Sequence, residues 1–131
     1  MLTRDQEYAI EAYKRVTKVG EAERKRYGSM SHTLPILIRT AGLAQALSFV
    51  EAKAGTETDN HAYRLLLDDL AATIHSQQPL AQRARTAQST EYMLLTRQTM
   101  DALLWFKRFA QSVLGIDASD ATDENEAGGG Q

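Results

Sequence analysis

The 131 residues contain no cysteine, which removes a disulfide framework, a thiolate metal site and a cysteine nucleophile together. Only two prolines are present, and apolar and polar residues rarely alternate, so little in the chain reads as strand. No apolar run approaches the roughly 20 residues that would span a bilayer. The start, MLTRDQEYAI, lacks the apolar centre of a signal peptide. These absences point to a cytoplasmic protein. Catalytic signatures are missing too. There is no GxxxxGK[ST] and no GxSxG, and Gly128 to Gly130 precede nothing that could form a phosphate-binding helix. His32, His61 and His75 form no HxxxH or HExxH pattern. They read as solvated or helix-flanking side chains rather than the three or four converging ligands a zinc ion needs. Asp68 and Asp69 are adjacent, so on a helix their side chains diverge by about 100° and cannot act as a carboxylate pair. The sequence therefore predicts a protein without catalytic residues, metal or cofactor.

What is present is helical patterning. Hydrophobic residues make up 43% and charged residues 24%, enough for one soluble domain with its own core. The net charge of −2 hides an asymmetry. Asp117, Asp120, Asp123, Glu124 and Glu126 lie in a stretch without a base, so residues 1–116 keep all 15 Lys and Arg against 12 acids. Beyond Ile116 nothing larger than alanine is apolar. We therefore expect a helical domain over 1–116 and a disordered, acidic, Gly-rich tail over 117–131.

The expected architecture is an all-α bundle of about five to six helices. The first starts at Thr3, with Gln6 completing a capping box. It buries Ala9, Ala12, Tyr13, Val16 and Val19 and runs to about Arg26, where Gly28 ends it. The next covers Ser29 to Thr40, either beginning at His32 or Thr33 or kinking at Pro35. A third follows Gly42, with Leu43, Ala46, Leu47 and Val50 inward, and ends near Gly55. A fourth spans Asn60 to Gln77, burying Leu66, Leu70 and Ile74, and Pro79 stops it. A long final helix over Ser89 to Leu114 turns Tyr92, Leu95, Ala102, Phe106, Phe109 and Val113 to the core.

The clearest polar signal lies on the first predicted helix. At 100° per residue, Lys14, Lys18 and Lys25 fall within about 40° of one another. Arg15 and Arg26 flank them, and Arg24 joins the same end. Such a ridge suits a phosphate backbone, since cations at turn spacing displace counterions without reading a base. A solvated charged face, diluted by Glu21 and Glu23, is the competing reading. Arg97 and Arg108 form a smaller set on the last helix, and Arg39 is the single charge between Gly28 and Val50. Leu104 lies on the outer side of the last helix with Trp105 on its flank. Either that helix is central to the bundle or these two mark a subunit interface.

The stretch YGSMSHTLPILIRTAGLAQALSFVEAK, Tyr27 to Lys53, resembles the signature region of the small helical subunit of the Cmr-type (type III-B) CRISPR–Cas effector complex. The matching residues are Tyr27, Gly28 and Ser29, then Leu34 and Pro35, then Gly42, Leu43, Gln45, Ala46, Leu47 and Phe49. The last helix is similar to that family's closing element at Arg85, Glu91, Trp105, Lys107, Arg108, Phe109 and Ala110. The resemblance covers roughly residues 5–114. The variable loop at 55–61 and the tail from Asp117 lie outside it. It implies a non-catalytic subunit for antiviral defence that stacks with further copies of itself beside the other Cmr subunits and touches guide and target RNA. It implies neither a membrane nor a small-molecule substrate. Two rivals remain: an adaptor making only protein contacts, and a helical enzyme using Asp68 or His75.

Overall fold

A computed structural model describes residues 1–56 and 61–121. Six helices form the body: α1 Arg4–Val16, α2 Arg24–Ala41, α3 Leu43–Thr56, α4 His61–Thr73, α5 Leu80–Thr86 and α6 Ser89–Ser112. A single helical turn follows at 118–121, and no strand occurs among the described residues. The all-α expectation holds. α6 is the spine, with α1 and α2 packed along it and α3, α4 and α5 completing the layer behind α2.

α1 begins as the sequence indicates. The Thr3 hydroxyl accepts from the Gln6 N–H (3.1 Å), and the Gln6 side chain accepts from the Thr3 N–H (2.8 Å). Its buried stripe is Tyr8, Ala12 and Val16 at i, i+4 and i+8. Tyr13, expected inside, is 52% exposed and presents its edge to Phe109 (5.3 Å between ring centres).

The largest departure is where α1 stops. It ends at Val16, ten residues before Arg26. The Thr17 hydroxyl donates to the Lys14 carbonyl (2.9 Å). The backbone then tightens into three-residue turns, with Lys18 bonding Arg15, Val19 bonding Val16, and Glu23 bonding Gly20. Good helix formers such as Ala22, Glu21 and Glu23 hide this break in sequence. Gly20, costly inside a helix, is the one local signal of it.

α2 is therefore longer than expected and starts upstream of the apolar stretch. Gly28 does not terminate a helix; it lies buried inside this one. A Cβ there would stand 2.8 Å from the Ile116 Cβ, so only glycine lets the chain after α6 press onto α2. Pro35 is also inside α2 and buried. The helix runs through it, which excludes a start at His32 or Thr33. Ser31, whose carbonyl loses its helical donor to Pro35, turns its hydroxyl onto the Tyr27 carbonyl (2.9 Å).

The α2–α3 corner is made by Gly42 at φ 89°. The Tyr92 hydroxyl accepts from the Ala44 N–H (3.0 Å) and so occupies one of the free donors that open α3. Leu43, Ala46, Leu47 and Val50 are buried as the pattern indicates. α4 buries Leu66 and Leu70, with Ile74 just beyond its end. The chain turns at His75 (φ 60°), short of Gln77. Pro79 does not stop α4, which has ended six residues earlier at Thr73; it caps the start of the short α5, which sequence reading leaves as loop. α6 buries Leu95, Ala102 and Phe106 as expected and adds Thr99, Leu103 and Ala110, while Val113, just past its end, is 38% exposed rather than turned to the core. Tyr27, Phe106, Leu34, Leu66 and Leu103 are fully enclosed, each contributing about 1.5–3 kcal/mol of burial.

α6 closes at Gly115 (φ 72°), where the Ile116 N–H reaches back to the Ala110 carbonyl (2.9 Å). Three residues of α2 spaced four apart then hold this end. Arg24 Nη1 donates to the Leu114 carbonyl (2.9 Å), Gly28 seats Ile116, and His32 Nε2 meets the Ile116 carbonyl (2.8 Å). Acidic residues begin within this ordered region. The Asp117 carboxylate accepts from the Ser119 and Asp120 backbone N–H groups and caps the turn at 118–121, in which Ala121 is buried. Hydrogen bonds from Ser119 and Asp120 hold the Asp117 carboxyl below the usual carboxylate range. The rest of the acidic segment, 122–131, lies outside the described residues.

Candidate nucleic-acid interface

Two registers along α6 place the basic side chains. Arg24 of α2 meets Leu114, while the Gly42–Ala44 corner meets Tyr92, so α2 runs antiparallel to α6. Arg4 pairs with Asp101 (2.6 Å), the Trp105 indole donates to Asp5 (3.0 Å), and Tyr13 meets Phe109, so α1 runs parallel to α6. The end of α1 and the start of α2 therefore share the end of the bundle where α6 finishes. Lys14, Arg15, Lys18, Arg24, Lys25 and Arg26 gather there even though no single helix carries them. Arg108 lies toward the same end, one residue from Phe109. Arg39 and Arg97 belong to the opposite end, near Tyr92. α6, at 24 residues, separates the two ends by roughly 36 Å.

Within the first group the residues do different things. Arg15 is internal in its bonding. Its Nε donates to Glu11 (2.6 Å) and its Nη1 to Asp69 (3.1 Å), while the Tyr27 hydroxyl donates to the other Asp69 oxygen (2.6 Å). Asp69 is buried on α4 and Tyr27 is fully enclosed on α2, so one carboxylate ties three helices together. Burial pushes the Asp69 carboxyl above its ordinary value, and the Tyr27 and Arg15 bonds oppose that shift. Burial, reinforced by the adjacent carboxylate, likewise drives the Tyr27 hydroxyl well above its ordinary range. Asp68, next in sequence, is exposed; one aspartate faces the core and the other faces water, as their offset of about 100° requires. Sequence reading missed Asp69 and Tyr27 as partners because neither spacing nor composition signals a contact 42 residues apart.

Above this buried carboxylate is a small notch of about 200 Å³ between α1 and α4, lined by Lys14, Arg15, Lys18, Leu65 and Asp69. Lys14 and Lys18 are exposed on its rim, one helical step apart, and no ion pair among the described residues involves either. Arg15 and Asp69 occupy the floor and neutralise one another. Arg24, beyond its bond to Leu114, lies 3.4 Å from Glu21. Lys25 and Arg26 complete the first turn of α2, which contains no acid.

Of the remaining sequence candidates, Arg39, Arg97 and Arg108 are exposed, and no ion pair involves them among the described residues. Arg83 and Arg85, in contrast, pair with Glu91 and Glu51. Trp105 is half-buried and stacks on Phe109 (5.8 Å) while bonding Asp5, so it seals the α1–α6 seam. Leu104, 50% exposed, stands on the outer face of α6 with Met93 and Leu94. Among the described residues no three His, Asp or Glu side chains converge as a metal site, and no helix is long and apolar enough to cross a membrane. His32 is buried in the α2–α6 clamp rather than solvated; His61 and His75 are exposed.

Comparison with known proteins agrees with this architecture. The family model for CRISPR-associated protein (Cas_Cmr5) matches residues 4–113, from the first residue of α1 to the end of α6. The CRISPR system Cmr subunit Cmr5 of Thermus thermophilus is 39% identical over 117 residues, covering 87% of this chain and 98% of the relative. The X-ray crystal structure of a CRISPR-associated Cmr5 family protein from Thermus thermophilus superposes with a TM-score of 0.75 at 42% identity, covering 86% of this chain and 98% of that one. This chain belongs to the Cmr5 family of CRISPR-associated proteins.

Proposed function

We propose that this protein is the small, non-catalytic subunit of a cytoplasmic Cmr-type (type III-B) effector complex. It stacks with further copies of itself beside the other subunits and contacts the backbone of guide or target RNA. The subunit assignment is supported by the family match across the whole helical body and by the name of the Thermus relative. The RNA contact is supported by one observation above the others. Lys14 and Lys18 stand exposed on the notch rim at the same end of the bundle as Lys25 and Arg26, which is a charge distribution suited to phosphates without base recognition.

Within the set Lys14, Arg15, Lys18, Arg24, Lys25 and Arg26, we assign the phosphate contacts to Lys14, Lys18, Lys25 and Arg26. Arg15 and Arg24 position them, since their guanidinium groups serve Asp69, Glu11 and Leu114. Arg39, at the end of α2, and Arg97, on α6, lie toward the other end of the bundle and would touch RNA at a second place. Arg108 extends the first surface, and Leu104 offers an apolar contact for a neighbouring subunit. The test is to purify the native assembly, irradiate it, and map the RNA crosslinks. Crosslinks on residues 14–26 of this chain support the reading. Crosslinks confined to other subunits would leave this protein as an adaptor that makes only protein contacts.

A further inference from the structure

The notch between α1 and α4 combines two features that a phosphate alone does not explain. Its rim is basic: Lys14 and Lys18 are exposed, and no ion pair among the described residues involves either. Its floor holds an acid. The Asp69 side chain keeps 7% of its surface and borders the notch. Arg15 does not make that floor cationic, because its guanidinium already donates to Glu11 and Asp69. A phosphate pushed down to the floor would meet those two carboxylates around a guanidinium they already occupy. The rim therefore suits an anion, and the floor suits a different group.

An ionised carboxylate only accepts, and it offers about four lone-pair positions. One Asp69 oxygen accepts from Arg15 Nη1 (3.1 Å) and the other from the Tyr27 hydroxyl (2.6 Å), which leaves lone pairs for a further donor. A neutral hydroxyl fits that position, since it donates to the carboxylate and adds no charge. The notch measures about 200 Å³, the volume of roughly seven waters and enough for a sugar ring. Leu65 gives it an apolar wall against which the carbon face of a sugar can lie. Lys14 and Lys18 stand about one helical turn apart, so they can take the phosphates on either side of one sugar.

We propose that the notch takes one ribose of a single-stranded RNA, its 2′-hydroxyl donating to Asp69 while Lys14 and Lys18 hold the flanking phosphates. The body then distinguishes RNA from DNA without reading a base. The phosphate contacts are those of the function proposed above, on which this inference rests; the preference for ribose is a separate property of the floor.

The experiment separates rim from floor. The full chain is titrated near 50 mM salt with a uridine oligonucleotide and with its 2′-deoxy counterpart, and amide NMR shifts follow even weak binding. The ribose strand should bind about 3- to 10-fold more tightly, as one added hydrogen bond to the carboxylate allows. Both strands should show the same salt slope, because their phosphate contacts are the same. Leu65→Trp, which fills the notch and leaves the Asp69 bonds in place, should abolish the preference for ribose. Asp69→Asn, whose single oxygen is claimed by the Tyr27 hydroxyl, should do the same, and Leu65→Trp decides the matter if the asparagine variant unfolds. Uridine monophosphate, with the same hydroxyl but one phosphate, should bind about 10-fold more weakly than the strand or worse. Binding as tight as the strand would make the notch a nucleotide site and overturn the assignment to a strand. Equal affinity of the parent chain for the two sugars, or a preference that survives Leu65→Trp, would overturn the ribose contact and leave the phosphate contacts standing. Binding of neither strand, or affinities unmoved by Lys14→Ala with Lys18→Ala, would overturn both.

Discussion

Lys14 and Arg15 are neighbours in sequence, share one helix and line one notch, yet they belong to different regions of the molecule. Arg15 is in the floor, bonded to Glu11 and Asp69 above the enclosed Tyr27. Lys14 is on the rim with Lys18, exposed and without an ion pair among the described residues. The planar guanidinium suits the floor because its fork can serve two carboxylates at once, whereas an ammonium on a flexible stem suits the rim. A basic cluster in a sequence is thus two populations, one that holds helices together and one left for a partner. Position around the helix decides which is which.

Four changes would break or sharpen that contrast. The largest effect should come from the floor. Asp69→Ala leaves the Tyr27 hydroxyl buried without an acceptor and Arg15 without one of its two carboxylates, and should cost about 2–4 kcal/mol by urea denaturation. Asp69→Asn, which can still accept from Tyr27, should cost less. A loss below about 0.5 kcal/mol for the alanine variant would mean that the floor is not structural.

Second in size is the α2–α6 clamp. Gly28→Ala drives a methyl group to 2.8 Å from the Ile116 Cβ and should cost about 1–3 kcal/mol. Adding Ile116→Ala should recover part of the loss in a double-mutant cycle, because the two changes share one contact. Strict additivity would place Ile116 elsewhere in solution.

The third concerns pH. Burial raises the Asp69 pKa in the folded state, so the folded chain takes up a proton at a higher pH than the unfolded chain. The stabilising contribution is therefore complete below the ordinary carboxylate value near 3.8 and is lost as pH rises through the raised value. Measured against Asp69→Asn, which does not titrate, the parent chain should gain stability as pH falls from neutral toward that window. A difference that is flat with pH would mean that Asp69 is not desolvated.

The smallest effect on stability belongs to the rim. Lys14→Ala with Lys18→Ala should change the unfolding free energy by no more than about 0.5 kcal/mol, since both side chains are exposed and no ion pair among the described residues involves either.

The legible parts of this fold were those written in local pattern. The Thr3–Gln6 capping box, the inward face of α3 and the stripe of α6 through Leu95, Ala102 and Phe106 follow from spacing alone. The break between α1 and α2 did not. Residues 17–23 are rich in helix formers, and what ends α1 is a hydroxyl folded back onto the Lys14 carbonyl and a run of tight turns through Gly20. Gly28 was legible as a special position but not in its reason, because its partner Ile116 lies 88 residues away. The ridge drawn as one helix face proved to be two helix ends brought together by tertiary packing. Asp69, the residue that joins them, carries no local mark.

The most direct test of the account is the salt dependence of target-RNA binding by the assembled complex with and without Lys14→Ala and Lys18→Ala. If these two side chains neutralise phosphates, the slope of log K against log salt should fall by about 1.4, near 0.7 for each single-strand contact, with the same loss of affinity for every RNA sequence tried. An unchanged slope, or a loss confined to particular sequences, would contradict it.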